Sequence, residues 1–363
     1  MPLPAPTKTT EPRIRVMVVD DSVVIRGLFA RTLEATNDVE IVASVPDGRA
    51  AVAAIARTPV DVVVLDIEMP IMDGLTAIPL LLKAAPRVKI LMASTLTEKN
   101  AKITLDALAA GATDFLLKPS SREMLGPASF NRDLLAKVRH LGSKSSRAWT
   151  VTPVSVSQAR PAPAAKPLAL HRAPILPPQV IAIGSSTGGP QALLQVLAHL
   201  APNARVPILV TQHMPPTFTA ILAANISRQC GGAAVEAEDG MSVEPGRIYV
   251  APGNFHMTVD PARVIRLNQG PQENFCRPSV DPMLRSLVDV YRGRILTVIL
   301  TGMGQDGLYG SKAVVEAGGA VIAQDEATSV VWGMPGAVAT AGLCTAVLPL
   351  AQIGPHLRPY AFG

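Results

Sequence analysis

The sequence predicts an α/β protein made of a doubly wound parallel sheet joined by a linker to a second three-layer unit, and three observations carry that prediction. Apolar runs of strand length alternate with helix-period segments through both halves of the chain. A stretch rich in Pro, Ala and Ser, with no acidic residue, interrupts the alternation near the middle. Polar residues with chemical capacity sit just past the carboxyl ends of the apolar runs, where an open parallel sheet gathers its site.

The totals agree. A chain of 363 residues exceeds one typical core, and 48% hydrophobic residues can fill two. No apolar run reaches the roughly 18 residues of a transmembrane helix, and MPLPAPTKTTEPR lacks the apolar region of a signal peptide. The expectation is a cytoplasmic protein without membrane insertion. Cys230, Cys276 and Cys344 are too scattered for a metal motif or a disulfide framework and read as reduced thiols. The net charge of +5 is spread out, and 4% aromatics leave no stacking platform, so nucleic acid is not an expected partner. No Asp or Glu occurs from Leu134 through Val235, which reads as a basic linker plus an apolar helix, or as a docking area for an acidic partner.

After a tail at 1–12, residues 13–142 hold the apolar runs Ile14–Val19, Val39–Val45, Val60–Leu65, Val88–Met92 and Thr113–Leu117, with helical segments between them and a last one near Phe130–Leu141. Asp20 and Asp21 follow the first run, Asp66 ends the third, Ser94 the fourth and Lys118 the fifth. Three carboxylates at one sheet edge need a cation, and hard oxygen donors suit Mg²⁺. The lysine and the serine hydroxyl would then meet the oxygens of an incoming phosphoryl group, with one carboxylate as nucleophile. Capping explains one such Asp but not five residues on the same edge.

Residues 143–178 break the pattern. From Gly142 to Pro178 there is no acid and no sustained period, which predicts a semi-flexible tether on which Trp149 and Leu168–Leu170 are docking candidates.

Residues 179–363 resume the alternation, with strands expected at Val180–Ile183, Ile208–Thr211, Ile248–Val250, Ile295–Leu300 and Ala320–Ala323. Helical patterns cover Gln191–Leu200, Phe218–Gln229, Pro282–Tyr291 and Leu308–Ala317. Ser186 lies in Gly184-Ser185-Ser186-Thr187-Gly188, a strand-to-helix turn of the kind that exposes a serine hydroxyl. His213 follows the second strand, and Asp306 lies in the loop Thr301–Gly307. A serine hydroxyl needs a base, and the base needs an acceptor that fixes its tautomer. Ser186, His213 and Asp306 supply these parts, in an order unlike that of ordinary α/β-hydrolases. The amides of Thr187 and Met303 are oxyanion candidates. Ser185 is the rival nucleophile and His256, in APGNFHM, the rival base. A dinucleotide site is excluded by the glycine spacing and by the lack of an acid about 20 residues on.

The motifs VMVVDDS, VVLDIEMPIMDG, LMASTLT and FLLKP resemble response-regulator receiver domains. That resemblance implies a flavodoxin-like receiver phosphorylated at Asp66 by a histidine kinase, with Asp20, Asp21 and Asp66 holding Mg²⁺. It further implies that Ser94 and Lys118 read the phosphoryl group and that Phe115 is a switch aromatic, the alternative being an ordinary core ring. IGSSTGGP, TQHMPP, AEDG, YVAPG, RPSVDPM, ILTGMGQDG and VVWGMPGAV resemble the catalytic domain of the chemotaxis protein-glutamate methylesterases, which has a Rossmann-like fold. This second resemblance implies hydrolysis of glutamate γ-methyl esters, and deamidation of glutamines, on methyl-accepting chemoreceptors. It puts the nucleophile at Ser186, the base at His213 and the orienting acid at Asp306, with no cofactor in the hydrolase. Ser185 stands where alanine is usual and Gln305 where asparagine is usual. A receptor of a non-motility pathway, or a binding module with a vestigial triad, remains the alternative. Autoinhibition by the unphosphorylated receiver is the expected mode of control.

Overall fold

The structure, a computed structural model, describes residues 13–119, 128–146, 170–171, 177–200 and 204–362. The chain divides into two compact units. In the first half the elements run β1 (Ile14–Val19), α1 (Val23–Glu34), β2 (Val39–Val45), α2 (Gly48–Ile55), β3 (Val62–Asp66), α3 (Gly74–Ala84), β4 (Lys89–Ser94), α4 (Glu98–Ala109), β5 (Asp114–Leu117) and α5 (Ala128–Ser146). All strand pairs are parallel, in the order β2-β1-β3-β4-β5. β3 is buried along its whole length, so its near-continuous Val/Leu run is what a strand covered on both faces requires. Ser22, Asp47 and Asp73 cap α1, α2 and α3 by accepting from Ile25, Ala50 and Thr76 amides. The strand order reverses between β1 and β3, and there the carboxyl ends open a crevice.

α5 continues to Ser146, so the helix enters the segment 143–178 expected as tether. Trp149, Leu168 and Ala169 lie outside the described residues.

The second half begins with β6 (Val180–Ser185), α6 (Gly189–Leu197), β7 (Ile208–Gln212) and α7 (Phe218–Cys230). It continues through β8 (Ala233–Glu236), β9 (Arg247–Val250), β10 (His256–Val259), β11 (Ile265–Asn268) and α8 (Val280–Tyr291). It ends with β12 (Ile295–Ile299), α9 (Leu308–Glu316), β13 (Ala320–Gln324), α10 (Met334–Thr340), β14 (Ala346–Leu348) and α11 (Leu350–Phe362). Seven strands form a parallel sheet in the order β14-β13-β12-β6-β7-β9-β8, while β10 and β11 pair antiparallel beside it in sequence. All of β6, β7, β12 and β13 is buried, which fixes the centre of the core. The chain leaves β6 in one direction to β7 and returns on its other side at β12, so the switch of direction lies between β6 and β12. Among the described residues no helix is long and apolar enough to cross a membrane.

Candidate active site

At the carboxyl edge of the first sheet, Asp20 sits just past β1 and Asp66 ends β3, on the two sides of the strand-order reversal. Lys118, one residue past β5, reaches both: Nζ lies 2.7 Å from Asp20 Oδ2 and 2.6 Å from Asp66 Oδ1. The Asp20 contact is an ion pair without hydrogen-bond geometry, and this oxygen is otherwise buried and unpartnered. Burial pushes the Asp66 carboxyl up to about 6, and the Lys118 charge offsets this only in part. Burial also works against the Lys118 charge, but the two carboxylates outweigh it and raise its pKa. Carboxylate oxygens of Asp20, Asp21 and Asp66 fall within 4.8 Å of one another. Asp21 is exposed, so the set combines hard oxygen donors, an underused buried oxygen and access for water, which fits Mg²⁺. Ser94 is buried at the end of β4 and donates to the Thr95 carbonyl at 3.2 Å. Phe115 is buried within β5.

At the second sheet, Ser186 follows β6, His213 follows β7 and Asp306 follows β12, so the three share one edge around the switch between β6 and β12. β6 and β7 are paired through Ser185 and Gln212, which sets Ser186 and His213 side by side at adjacent strand ends. The Ser186 turn is held from both sides. Its amide donates to Thr301 O at 3.0 Å, and Gln212 Nε2 donates to Ser186 O at 2.9 Å and to His213 O at 3.3 Å. Ser185 turns inward and donates to Gln212 Oε1 at 2.7 Å, which leaves the half-buried Ser186 as the outward hydroxyl. Gly188 closes the turn at φ +76°, a left-handed conformation that favours glycine.

His213 Nε2 lies 2.7 Å from Asp306 Oδ2. Asp306 is almost fully buried and sits on the amino terminus of α8, accepting from the Val280 amide at 2.6 Å and the Asp281 amide at 3.2 Å. It also accepts from Ser279 Oγ at 2.6 Å, Asn274 Nδ2 at 3.0 Å and its neighbour Gly307 at 3.0 Å. Burial alone would raise this carboxyl, but His213 first and then these donors hold it well below the usual carboxylate range. Asp281, behind it, shares the Asn274 amide and is raised by burial and by the Asp306 charge. His213 Nδ1 faces Cys276 Sγ at 3.4 Å. Burial works against an imidazolium, but the Cys276 sulfur and Asp306 together outweigh it and raise the ring's pKa.

The structure therefore joins His213 directly to Asp306 and brings Ser186 to the same edge, while no hydrogen bond links Ser186 Oγ to His213 among the described residues. Thr187 O accepts from Thr301 Oγ1 at 2.9 Å, and Met303 stands half-buried in the loop carrying Asp306. His256 is buried behind Ser279, with Nε2 at 2.9 Å from Pro271 O and Nδ1 taking the Ser279 amide at 3.3 Å. Both its nitrogens are engaged by backbone. Gln212, Asn274 and Ser279 went unmarked as site residues and Cys276 was read only as a reduced thiol, although Gln212 lies inside TQHMPP, Ser279 inside RPSVDPM, and Cys276 directly before it.

Comparisons with known proteins give the family. Residues 181–357 match the CheB methylesterase family, and residues 16–128 match the response regulator receiver domain. The chain is 57% identical over 365 residues to a protein-glutamate methylesterase/protein-glutamine glutaminase of Azospirillum brasilense, across 96% of this chain and 93% of that one. It is 54% identical over 370 residues to a protein-glutamate methylesterase/protein-glutamine glutaminase of group 2 operon from Rhodospirillum centenum, across 96% and 94%. A crystal structure of the Thermotoga maritima CheB methylesterase catalytic domain is 41% identical, covers 51% of this chain and 99% of its own, and has a TM-score of 0.49. With more than half of all positions identical over nearly its full length, the chain belongs to the protein-glutamate methylesterase/protein-glutamine glutaminase family.

Proposed function

We propose that this protein is a phosphorylation-activated serine hydrolase of the cytoplasm that removes methyl groups from glutamate γ-methyl esters on the cytoplasmic helices of chemoreceptors. It also deamidates glutamines there. The observation that carries the reading is the pair of half-buried His213 with buried Asp306 at the sheet edge that presents the Ser186 turn.

The reaction is a two-step acyl transfer. His213 takes the Ser186 proton as Oγ attacks the ester carbonyl, and the resulting imidazolium is stabilised by Asp306. The amides of Thr187 and Met303 receive the oxyanion. Methanol leaves with the proton from His213, and water, activated by the same ring, releases free glutamate.

Control resides in the first sheet. A histidine kinase supplies the phosphoryl group to an Asp66 oxygen, and Lys118 and Ser94 take the phosphoryl oxygens. Asp20, Asp21 and Asp66 would hold Mg²⁺, which when bound supplies positive charge against the entering phosphate. Phe115 then responds as the switch aromatic.

Methanol release from a methylated receptor fragment tests both halves. Wild type is expected to release methanol faster when a small phosphodonor is added. Ser186→Ala is expected to release none, and Asp66→Ala to keep the basal rate without stimulation. Release from Ser186→Ala at the wild-type rate would overturn the assignment.

A further inference from the structure

The nitrogen that His213 has left for catalysis is already in contact with a thiol. Nε2 is held by Asp306 at 2.7 Å, so Nδ1 is the ring position left to take a proton from Ser186. Cys276 Sγ lies 3.4 Å from that nitrogen. The thiol is brought there by an unusual path. Asn274 and Phe275 are both left-handed, at φ +52° and +62°, and neither is glycine. Such backbone is costly and persists where the surroundings enforce it. Here the enforcement is visible on both sides of the kink. Asn274 Nδ2 bridges Asp281 Oδ2 and Asp306 Oδ1, while the Cys276 and Glu273 backbones bond to each other at 2.9 and 3.2 Å. The loop that tethers the acid therefore also delivers the sulfur. The other two cysteines have no such role open to them: Cys230 and Cys344 are buried away from any histidine contact among the described residues, whereas Cys276 is partly accessible.

We propose that Cys276 is a positioning residue for the hydrolytic reaction, its sulfur holding the Nδ1 side of the His213 ring in the resting enzyme, and that this pairing makes Cys276 a modification site through which the hydrolase can be shut. The inference rests on the assignment of Ser186 and His213 given above. In the resting state Cys276 occupies the ring face that Ser186 must use, and the imidazole serves hydroxyl or sulfur in turn. An alkyl halide makes the consequence concrete. The sulfur attacks the carbon of iodoacetamide, the S–C bond forms as the C–I bond breaks, iodide leaves, and the thiol proton passes to His213 Nδ1. The carboxamidomethyl group then stands between Nδ1 and Ser186 and blocks the transfer.

The groups that face the ring are few. Asp306 and Cys276 touch it, Asp281 lies behind Asp306, and the ion pair of Arg285 with Glu273 lies farther out. Removing the sulfur takes away an influence that favours the protonated ring, so the neutral base becomes available at lower pH.

The experiment uses the full chain. Iodoacetamide labelling at each cysteine is followed by mass spectrometry in wild type and in His213→Gln, with Cys230 and Cys344 as internal reporters of unfolding. Labelling of Cys276 is expected to be about tenfold slower in the variant, since the ring in contact with the sulfur is there to take its proton. Equal labelling rates in folded protein overturn the pairing. In parallel, the pH profile of kcat/KM is measured for wild type, Cys276→Ala and Cys276→Ser. The acid limb is expected to move down by roughly one pH unit in Cys276→Ala. Cys276→Ser, which keeps a polar partner for Nδ1, should stay nearer to wild type and resist inactivation by the reagent. An unmoved limb in Cys276→Ala, or wild-type activity after complete labelling of Cys276, overturns the positioning role. If wild type released no methanol, the proposed reaction would fail, whereas the labelling comparison would still decide the Cys276–His213 pair.

Discussion

Asp306 holds together more donors than any single catalytic contact would need. Its Oδ1 accepts from Asn274, Ser279, Asp281 and Gly307, and its Oδ2 accepts from His213 and Val280. An asparagine in its place would turn an N–H toward one of these sets whichever way the amide is flipped, and would remove the charge that stabilises an imidazolium. Asp306→Asn is therefore expected to lower kcat on the order of 10⁴-fold. The same site has a signature in acid. The carboxyl is held below its ordinary range, so the stability its ionised form contributes is present above the unfolded carboxylate pKa of about 3.9 and is lost as pH falls through the depressed folded value. Urea midpoints followed by fluorescence should drop more steeply below about pH 4 in wild type than in Asp306→Asn. Parallel losses would mean that Asp306 is not the depressed group. Ser279→Ala keeps the charge but removes one charge-assisted bond, and should cost about 1–3 kcal/mol with a far smaller effect on kcat.

At the level of elements, the end of β12 and the Ser186 turn approach too closely for any side chain on Gly302. A Cβ there would lie 2.9 Å from Ser186 Cβ, 3.1 Å from Ser186 N and 2.4 Å from Met334 Sδ. Gly302→Ala must separate the strand end that carries Asp306 from the one that carries Ser186, with a packing cost of about 1–3 kcal/mol. The expected outcome is a fall in kcat well beyond the fall in stability, because a small displacement at the reacting atoms is costly. Unchanged kcat would show that the turn tolerates the shift. That Ser186, His213 and Asp306 would share one sheet edge was legible in the sequence, because Ser186 and His213 directly follow strongly apolar strands and Asp306 lies in the loop after a third. The support around them was not. Asn274 and Cys276 reach the site through a left-handed kink that no periodic pattern announces, and Gln212 reads as an ordinary strand residue. The same limit applies to the elements. β8, β10 and β11 are four-residue strands among polar residues, too short for alternation to stand out. α10 begins with Pro at its amino terminus and α11 contains Pro355 and Pro359, so both carry residues that mark breaks in most sequences. In the first half, five apolar runs matched five strands to within two residues, since buried parallel strands have the simplest pattern of all.

On the scale of the whole molecule, two sheets each open a crevice where their strand order turns, and the two crevices differ in electrostatic character. In the second, Asp306 is satisfied by backbone donors and a histidine, so its charge is already met within the fold. In the first, Asp20 and Asp66 face each other across Lys118, and one Asp20 oxygen is left without a hydrogen bond. Lys118→Met would leave two buried carboxylates without their counter-charge, a loss of roughly 3–5 kcal/mol by comparison with other broken buried pairs. A divalent cation can take over that role, and a ligand that binds only the folded state stabilises it by mass action. Adding Mg²⁺ should therefore raise the melting temperature of Lys118→Met more than that of wild type, and Asp20→Asn should cancel the difference. Chelation separates the two crevices in function. With EDTA present, phosphodonor stimulation of methanol release should vanish while the basal rate persists. A basal rate that fell in step with the stimulated one would place a metal in the hydrolytic step and remove the distinction between the acidic crevice of the first sheet and the satisfied carboxylate of the second.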